Sequence, residues 1–329
     1  MRRRSPVALP SLGIVLLAAA LTGAHCHATE PAGPLKTTVA SPSTVAVADP
    51  GNAALPNEGL TDAEAQKLLP GIDTAALTPK QRQDLVDLTG DTFCPCAATT
   101  VSGCLRQGPP CPAARRLTEL AKKIIGSGQP EGQALLRIET YYGSFPDDRR
   151  VEVAQTGPFL GSPNAKVVIV EFSDFQCPAC RAAHPALVQL VQKYGADVKW
   201  VFRNFPLPQH EHSAAAAAAG VWAASQNKFW EVADWFFGHQ EQLGDEGFKL
   251  AAKAAGLDPT ALLAATTDPQ YVAKVEADKA EGTALKLGGT PSIFINGRQL
   301  VLPPTLELLS WTVEDELAWQ ANGKKWASH

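Results

Sequence analysis

Apolar positions along this chain change their period near residue 155, and the change divides it in two. Between about 61 and 145 they recur at helical spacing. Thr61-Asp62-Ala63-Glu64 reads as a capping box ahead of Ala65, Leu68 and Leu69. Thr78-Pro79-Lys80-Gln81 opens a second helix through Leu85, Val86 and Leu88, with Pro79 at a tolerated first position. After a cysteine-rich turn, Leu117, Leu120, Ala121 and Ile124 share one face of a helix from about Ala113 to Ile125. Gly126-Ser127-Gly128 breaks it, and a last helix carries Ala134, Leu135, Ile138, Tyr141 and Tyr142. This stretch predicts a small all-α unit.

From about 155 the signals alternate. Lys166 to Phe172 is a continuous apolar run of the kind found in a parallel strand buried on both faces. The helix that follows starts at Cys177 and sets Cys180, Ala183, Leu187, Leu190, Val191 and Tyr194 on one stripe, leaving His184 on the polar side. Val198 to Phe202 is a second strand, which completes a βαβ unit whose crossover is expected to be right-handed. A helical segment runs from about His212 to Leu287, with breaks at Gln226-Asn227, Gly244-Asp245, Gly256 to Pro259 and Asp268-Pro269. Strands then return at Ser292–Ile295 and Arg298–Val301, joined by Asn296-Gly297, a strong two-residue hairpin signal. A final helix covers about Leu306 to Ala321.

The start of the chain reads differently. Arg2, Arg3 and Arg4 precede an apolar core from about Val7 to Leu21, and Cys26-His27-Ala28 fits a cleavage site, so residues 1–28 are expected to be a signal peptide. The alternatives are a short uncleaved anchor, below the roughly 20 residues of a membrane span, or lipidation at Cys26, which His25 disfavours. Residues 29–60, rich in Pro, Ala, Thr and Gly without periodicity, read as a flexible tether.

Composition is ordinary for a globular chain, at 45% hydrophobic and 19% charged residues. The net charge of -4 becomes about -7 once the leader's three arginines are removed, which offers no field for nucleic acid or an anionic membrane surface. Export changes the meaning of the seven cysteines. In an oxidising compartment disulfides are their default state. Setting Cys26 aside leaves an even group: Cys94, Cys96, Cys104, Cys111, Cys177 and Cys180.

The densest chemistry lies in Glu171-Phe172-Ser173-Asp174-Phe175-Gln176-Cys177-Pro178-Ala179-Cys180. A cysteine opening a helix sits among free backbone N–H groups at the positive end of the helix dipole. That environment stabilises a thiolate, the nucleophile of disulfide exchange. A structural staple is the competing reading, but so small a ring removes little chain entropy. Cys177, at the helix start, is therefore expected to attack, and Cys180, one turn in on the apolar stripe, to resolve the mixed disulfide.

These residues resemble the DsbA-like branch of the thioredoxin-fold oxidoreductases over about 155–325. The likeness is carried by Glu171 to Cys180, by Pro185 eight residues past Cys177, and by Gly289-Thr290-Pro291-Ser292 before the hairpin. The fold it implies is an α/β thioredoxin fold with a helical insertion at about 212–287, here preceded by a small all-α cysteine-rich domain at 61–145. It also implies that Pro291 is the family's cis-proline, lying against the sulfurs, with the Thr290 backbone free to pair with an extended substrate. Glu171 matches the family's buried acid, which would have a raised pKa and shuttle a proton to or from Cys180; a solvated strand-end Glu is the alternative. The pair between the cysteines, Pro178-Ala179, lacks the histidine of the strongly oxidising members. The Ala179 side chain offers Cys177 neither charge nor hydrogen bond, so a less oxidising couple is expected and the direction of electron flow stays open.

Cys94-Pro95-Cys96, Cys104 and Cys111 weakly resemble the small helical domain of the cytochrome c maturation protein CcmH, although that family's C-x-x-C is replaced here by C-P-C. Three readings compete: two structural disulfides of unknown pairing, a second redox pair exchanging with Cys177, or a four-cysteine zinc site. His210 and His212 flank Glu211 without a partner at ligand spacing, so no metal is expected there, and disulfide exchange calls for no cofactor. Asp174 reads as a loop residue, and Ala214–Ala219 as a close-packing helix. Phe229, Trp230, Trp235, Phe236 and Phe237 read as core of the insertion or as the lining of a substrate groove. The expectation is an exported, periplasmic thiol–disulfide oxidoreductase, acting on unfolded or reduced exported proteins and recycled by a separate redox partner. A disulfide-forming oxidase is the leading direction, with a reductase or isomerase (including a cytochrome c maturation role) as the alternative and a cysteine-based metallochaperone as the other class.

Overall fold

The computed structural model describes residues 59–107 and 110–327; the expected signal peptide and the tether up to residue 58 lie outside them. Five helices come first: α1 (Asp62–Leu68), α2 (Pro79–Asp91), α3 (Val101–Gln107), α4 (Pro112–Gly126) and α5 (Glu131–Gly143). The expected capping box forms between Thr61 and Glu64, and the structure adds a second one between Thr78 and Gln81. The turn expected around the cysteines holds α3, whose single short run of seven residues is too brief to show a period.

The second part runs β1 (Phe159–Gly161), β2 (Val167–Ser173), α6 (Pro178–Tyr194), β3 (Val198–Asn204), helices α7 (Ser213–Ser225), α8 (Phe229–Gly238), α9 (Asp245–Ala254), α10 (Pro259–Ala265) and α11 (Pro269–Ala284), then β4 (Ser292–Ile295), β5 (Arg298–Gln299) and α12 (Leu306–Ala321). The sheet order is β1-β3-β2-β4-β5, with β2 and β3 parallel and the other neighbours antiparallel. The three-residue edge strand β1 carries no alternation and was not legible. The hairpin's return strand stops at Gln299 rather than Val301. Asn296 and Gly297 both take positive φ (47° and 81°), as the two-residue turn requires, and a Cβ at Gly297 would meet the Val151 carbonyl oxygen at 2.4 Å.

Alternation along β2 decides what lies under the active-site helix. Val167 and Ile169 join Leu187 and Leu190 of α6 and Leu309 and Val313 of α12, whereas Val170 and Phe172 pack on the other face with Val201, Phe205 and Phe294. Strand period two therefore points Glu171 and Ser173 toward α6. The insertion has its own core, in which Phe229, Phe236, Phe237, Phe248 and Leu262 close over Phe175, Cys177 and Cys180.

The helical unit does not end at its own surface. Its core of Leu85, Leu117, Ile138 and Phe145 continues into Leu302, Leu308 and Trp319. Arg116 pairs with Asp315 and Glu314, and the Tyr141 hydroxyl donates to Asp315 at 2.9 Å. Arg298 donates to Glu316 and to Ser144, and its guanidinium lies 3.6 Å from the Phe145 ring centre. Buried charges are held this way only where partners satisfy them. The helical unit and α12 thus share one packed and hydrogen-bonded seam.

Candidate active site

Cys177 is the N-cap of α6, and Pro178 fills the first helical position, where a missing N–H leaves nothing unsatisfied. Pro185 lies inside the same helix. Cys177 and Cys180 are both thiols, 7% and 0% exposed. The Cys177 Sγ stands 3.3 Å from the Thr290 carbonyl oxygen and donates to it when protonated. The Thr290–Pro291 bond is cis. Residues 113 positions apart in sequence meet at one sulfur.

The two sulfurs have opposite electrostatics. The Cys177 thiol is drawn down to about 5, chiefly by a hydrogen bond from the Cys180 thiol. Burial opposes this, while the Thr290 side chain and the backbone N–H groups of Cys180 and Ala179 add to it. Cys180 goes the other way: burial raises it, as do its bond to Cys177 and the charge of Glu171, while Ser173 and Thr290 oppose. The more ionisable sulfur therefore sits at the helix start, and the sulfur one turn in favours its protonated form.

Glu171 is buried, which removes the solvated alternative, and burial pushes its carboxyl up to about 7. Ser173 Oγ donates to its Oε1 at 2.9 Å and Trp200 Nε1 to its Oε2 at 3.1 Å, and both pull the other way. A carboxyl near neutrality beside Cys180 is suited to hold the proton that Cys180 gives up or receives. Ser173 was foreseeable from strand period two. Trp200 was not, because nothing short of the β2–β3 register, Ile169 opposite Trp200, places it there.

The insertion holds the loop that carries Cys177. Gln240, 7% exposed, donates from Nε2 to the carbonyl oxygens of Phe175 at 2.8 Å and of Cys177 at 2.9 Å. Asp174, read from sequence as a loop residue, is buried. It accepts from the Gln176 N–H, the Leu207 N–H and His210 Nδ1 at 2.7 to 2.8 Å. His210 is therefore a loop anchor. His184 is likewise not on a polar face: it is buried against Trp200 and Phe237, with Nε2 2.7 Å from Asp234. A helix-face reading could not see the insertion covering that side. Substituting Gln240 by leucine is expected to lower stability by about 1–3 kcal/mol, since it removes the donor to a buried carbonyl; urea unfolding of the full chain measures it.

The remaining sequence candidates are also placed. Pro178 and Ala179 sit at the helix start, and a cavity of about 570 Å³ opens beside them, lined by Ala179, Ala183, Pro185, Pro291 and Leu306. Phe229, Phe236 and Phe237 are core of the insertion, so they do not line that cavity. Cys94 is bonded to Cys104 and Cys96 to Cys111. Sulfurs so bonded present no set of four thiolates to a zinc ion.

A low-pKa thiolate at a helix start, a buried partner thiol and a buried acid on a β2–α6–β3 frame are the groups that thiol–disulfide exchange requires. Residues 153–315 match a family model described as thioredoxin. Among solved structures, a thioredoxin-like oxidoreductase from Silicibacter pomeroyi is 27% identical, covering 50% of this chain and 92% of its own, with a TM-score of 0.45. BdbD from Bacillus subtilis is 26% identical, covering 51% and 98%, with a TM-score of 0.45. Among curated proteins, the Na(+)/H(+) antiporter NhaA 3 of Salinispora tropica is 33% identical over 159 residues, which are 48% of this chain and 24% of the antiporter. This chain spans about a quarter of the length of the curated relatives it matches. Among the described residues no helix is long and apolar enough to cross a membrane.

Proposed function

We propose that the chain is an exported disulfide-forming oxidase that transfers the Cys177–Cys180 disulfide to reduced cysteines of other exported polypeptides. The observation that carries this reading is the stabilised Cys177 thiolate. A dithiol that holds one sulfur as a stable thiolate favours its reduced form, and a couple whose reduced form is favoured is a strong oxidant. The Ala179 side chain supplies no donor, but the Ala179 and Cys180 backbone N–H groups, the Cys180 thiol and Thr290 do. The apolar cavity beside Pro291 suits side chains of an unfolded substrate. The two disulfides in the helical unit suit an oxidising compartment outside the cytoplasm. A separate partner would restore the active-site disulfide.

The sign of the pH dependence follows from a depressed thiol. The stability that the thiolate lends to the reduced form is present at alkaline pH and is lost as pH falls through about 5. Thiolate absorbance of the reduced chain is expected to titrate near pH 5, and the potential against a glutathione buffer to lie well above that of thioredoxin, toward the oxidising end of about -120 mV. Oxidation of a reduced, unfolded substrate should then be fast and insulin reduction slow. A potential near about -270 mV with efficient insulin reduction would make the chain a reductase instead.

A further inference from the structure

The helical unit repeats the active-site device with different sulfurs. Cys111-Pro112-Ala113-Ala114-Arg115 reproduces Cys177-Pro178-Ala179-Cys180-Arg181 except at the fourth position. Both first cysteines are N-caps of long helices with proline at the next position. The Cys111 Sγ accepts the Ala114 N–H at 3.3 Å, so a thiolate released there meets a backbone donor and the positive end of the 15-residue helix α4.

The two disulfides of this unit are also neighbours. The Cys94 Sγ lies 3.8 Å from the Cys111 Sγ, although the two belong to different bonds, and the Cys96 N–H points at the Cys94 Sγ at 3.4 Å. Their accessibility differs. Cys96 is exposed, whereas Cys94 and Cys104 are buried at 0% and 4%. One disulfide therefore has an exposed cysteine at one end, and the other is buried at both ends with the Cys111 sulfur beside it.

We infer that Cys94, Cys96, Cys104 and Cys111 form a second thiol–disulfide centre, in which an incoming dithiol attacks Cys96 and Cys111 relays the exchange to the buried Cys94–Cys104 bond. The steps balance. A thiolate of the dithiol attacks the Cys96 Sγ, the Cys96–Cys111 bond breaks, and Cys111 leaves as a thiolate, the better leaving group for its helix start. The Cys111 thiolate attacks the Cys94 Sγ, forming Cys94–Cys111 and releasing Cys104, which takes up a proton in its buried position. The second thiol of the dithiol then closes on its own sulfur and frees Cys96. The dithiol loses two electrons and two protons and becomes a disulfide; Cys96 and Cys104 end as thiols. This centre acts independently of Cys177 and Cys180, so its existence does not depend on the direction proposed for that site.

The test uses the full oxidised chain and dithiothreitol. After limited reduction, acid quenching, alkylation and digestion, mass spectrometry maps each cysteine, with Cys177 and Cys180 in the same digest marking the extent of reaction. The expected result is alkyl label on Cys96 and Cys104 together with a linked Cys94–Cys111 peptide. In a Cys96→Ser/Cys111→Ser variant, reduction of Cys94–Cys104 should slow by about tenfold or more, because the relay sulfur is gone. Label on Cys96 and Cys111 with Cys94–Cys104 intact would overturn the relay. So would two bonds that resist dithiothreitol until the chain is denatured. The wild-type map decides the matter even if the double variant folds poorly.

Discussion

Replacing Cys180 with alanine is expected to convert the full chain into a covalent trap at Cys177. The Cys177 thiolate, drawn down to about 5, attacks a substrate disulfide at neutral pH whether or not Cys180 is present, although losing the Cys180 donor weakens its stabilisation. Without the Cys180 thiol nothing within the site resolves the mixed disulfide, so a species linked through Cys177 accumulates and dissociates only with added thiol. Non-reducing electrophoresis with peptide mapping reads it. The companion Cys177→Ser variant should lose turnover at this site by at least about a thousandfold, as expected when a covalent nucleophile is removed. Oxidation of a reduced substrate at the wild-type rate by Cys177→Ser would remove this site from the mechanism.

Glu171→Gln is expected to separate stability from catalysis. The Glu171 carboxyl is raised to about 7 in the fold from an ordinary 4.5, so the folded state prefers it protonated. A raised carboxyl contributes its stability at low pH and loses it as pH climbs from about 4.5 through about 7, once the core must hold a charge. That difference converts to about 3 kcal/mol, an upper figure for a fully buried group. The reduced glutamine variant should therefore gain about that much over wild type at pH 8 and little at pH 4, measured by urea unfolding at both. Catalysis should move the opposite way. When Cys180 leaves as a thiolate it needs a proton, and removing the acid that supplies it should slow that step by about a hundredfold. Parallel stability curves for the two proteins across this range would show that Glu171 does not titrate in the fold.

These two variants also show where sequence reasoning reaches. Cys177 and Cys180 were legible because a helix start and a three-residue spacing are local facts. Glu171 was legible as a candidate, but its direction and its protonation state depend on how β2 packs beneath α6 and the insertion. Gln240 had no sequence signal. It lies in a short turn that the helical pattern did not separate from α8, 63 residues from the carbonyl it holds. The same limit explains His184, assigned to a polar face from its own helix and buried by the insertion, while Asp174 is in a loop as expected but buried there. Proximity of Cys94 to Cys111 is of this kind too, since spacing alone leaves several pairings open.

Local chemistry in the chain was enough to specify the βαβ start, the Asn296-Gly297 hairpin, the capped helices and a redox pair of cysteines, because periodicity, capping and turn preference act over a few residues. Packing settled the rest. It set Thr290 and Pro291 against Cys177, buried Glu171, lowered one thiol while raising the other, and brought two disulfides within exchange distance. Electrostatic environment and reach through space are properties of neighbours, and those neighbours come from segments tens to more than a hundred residues apart.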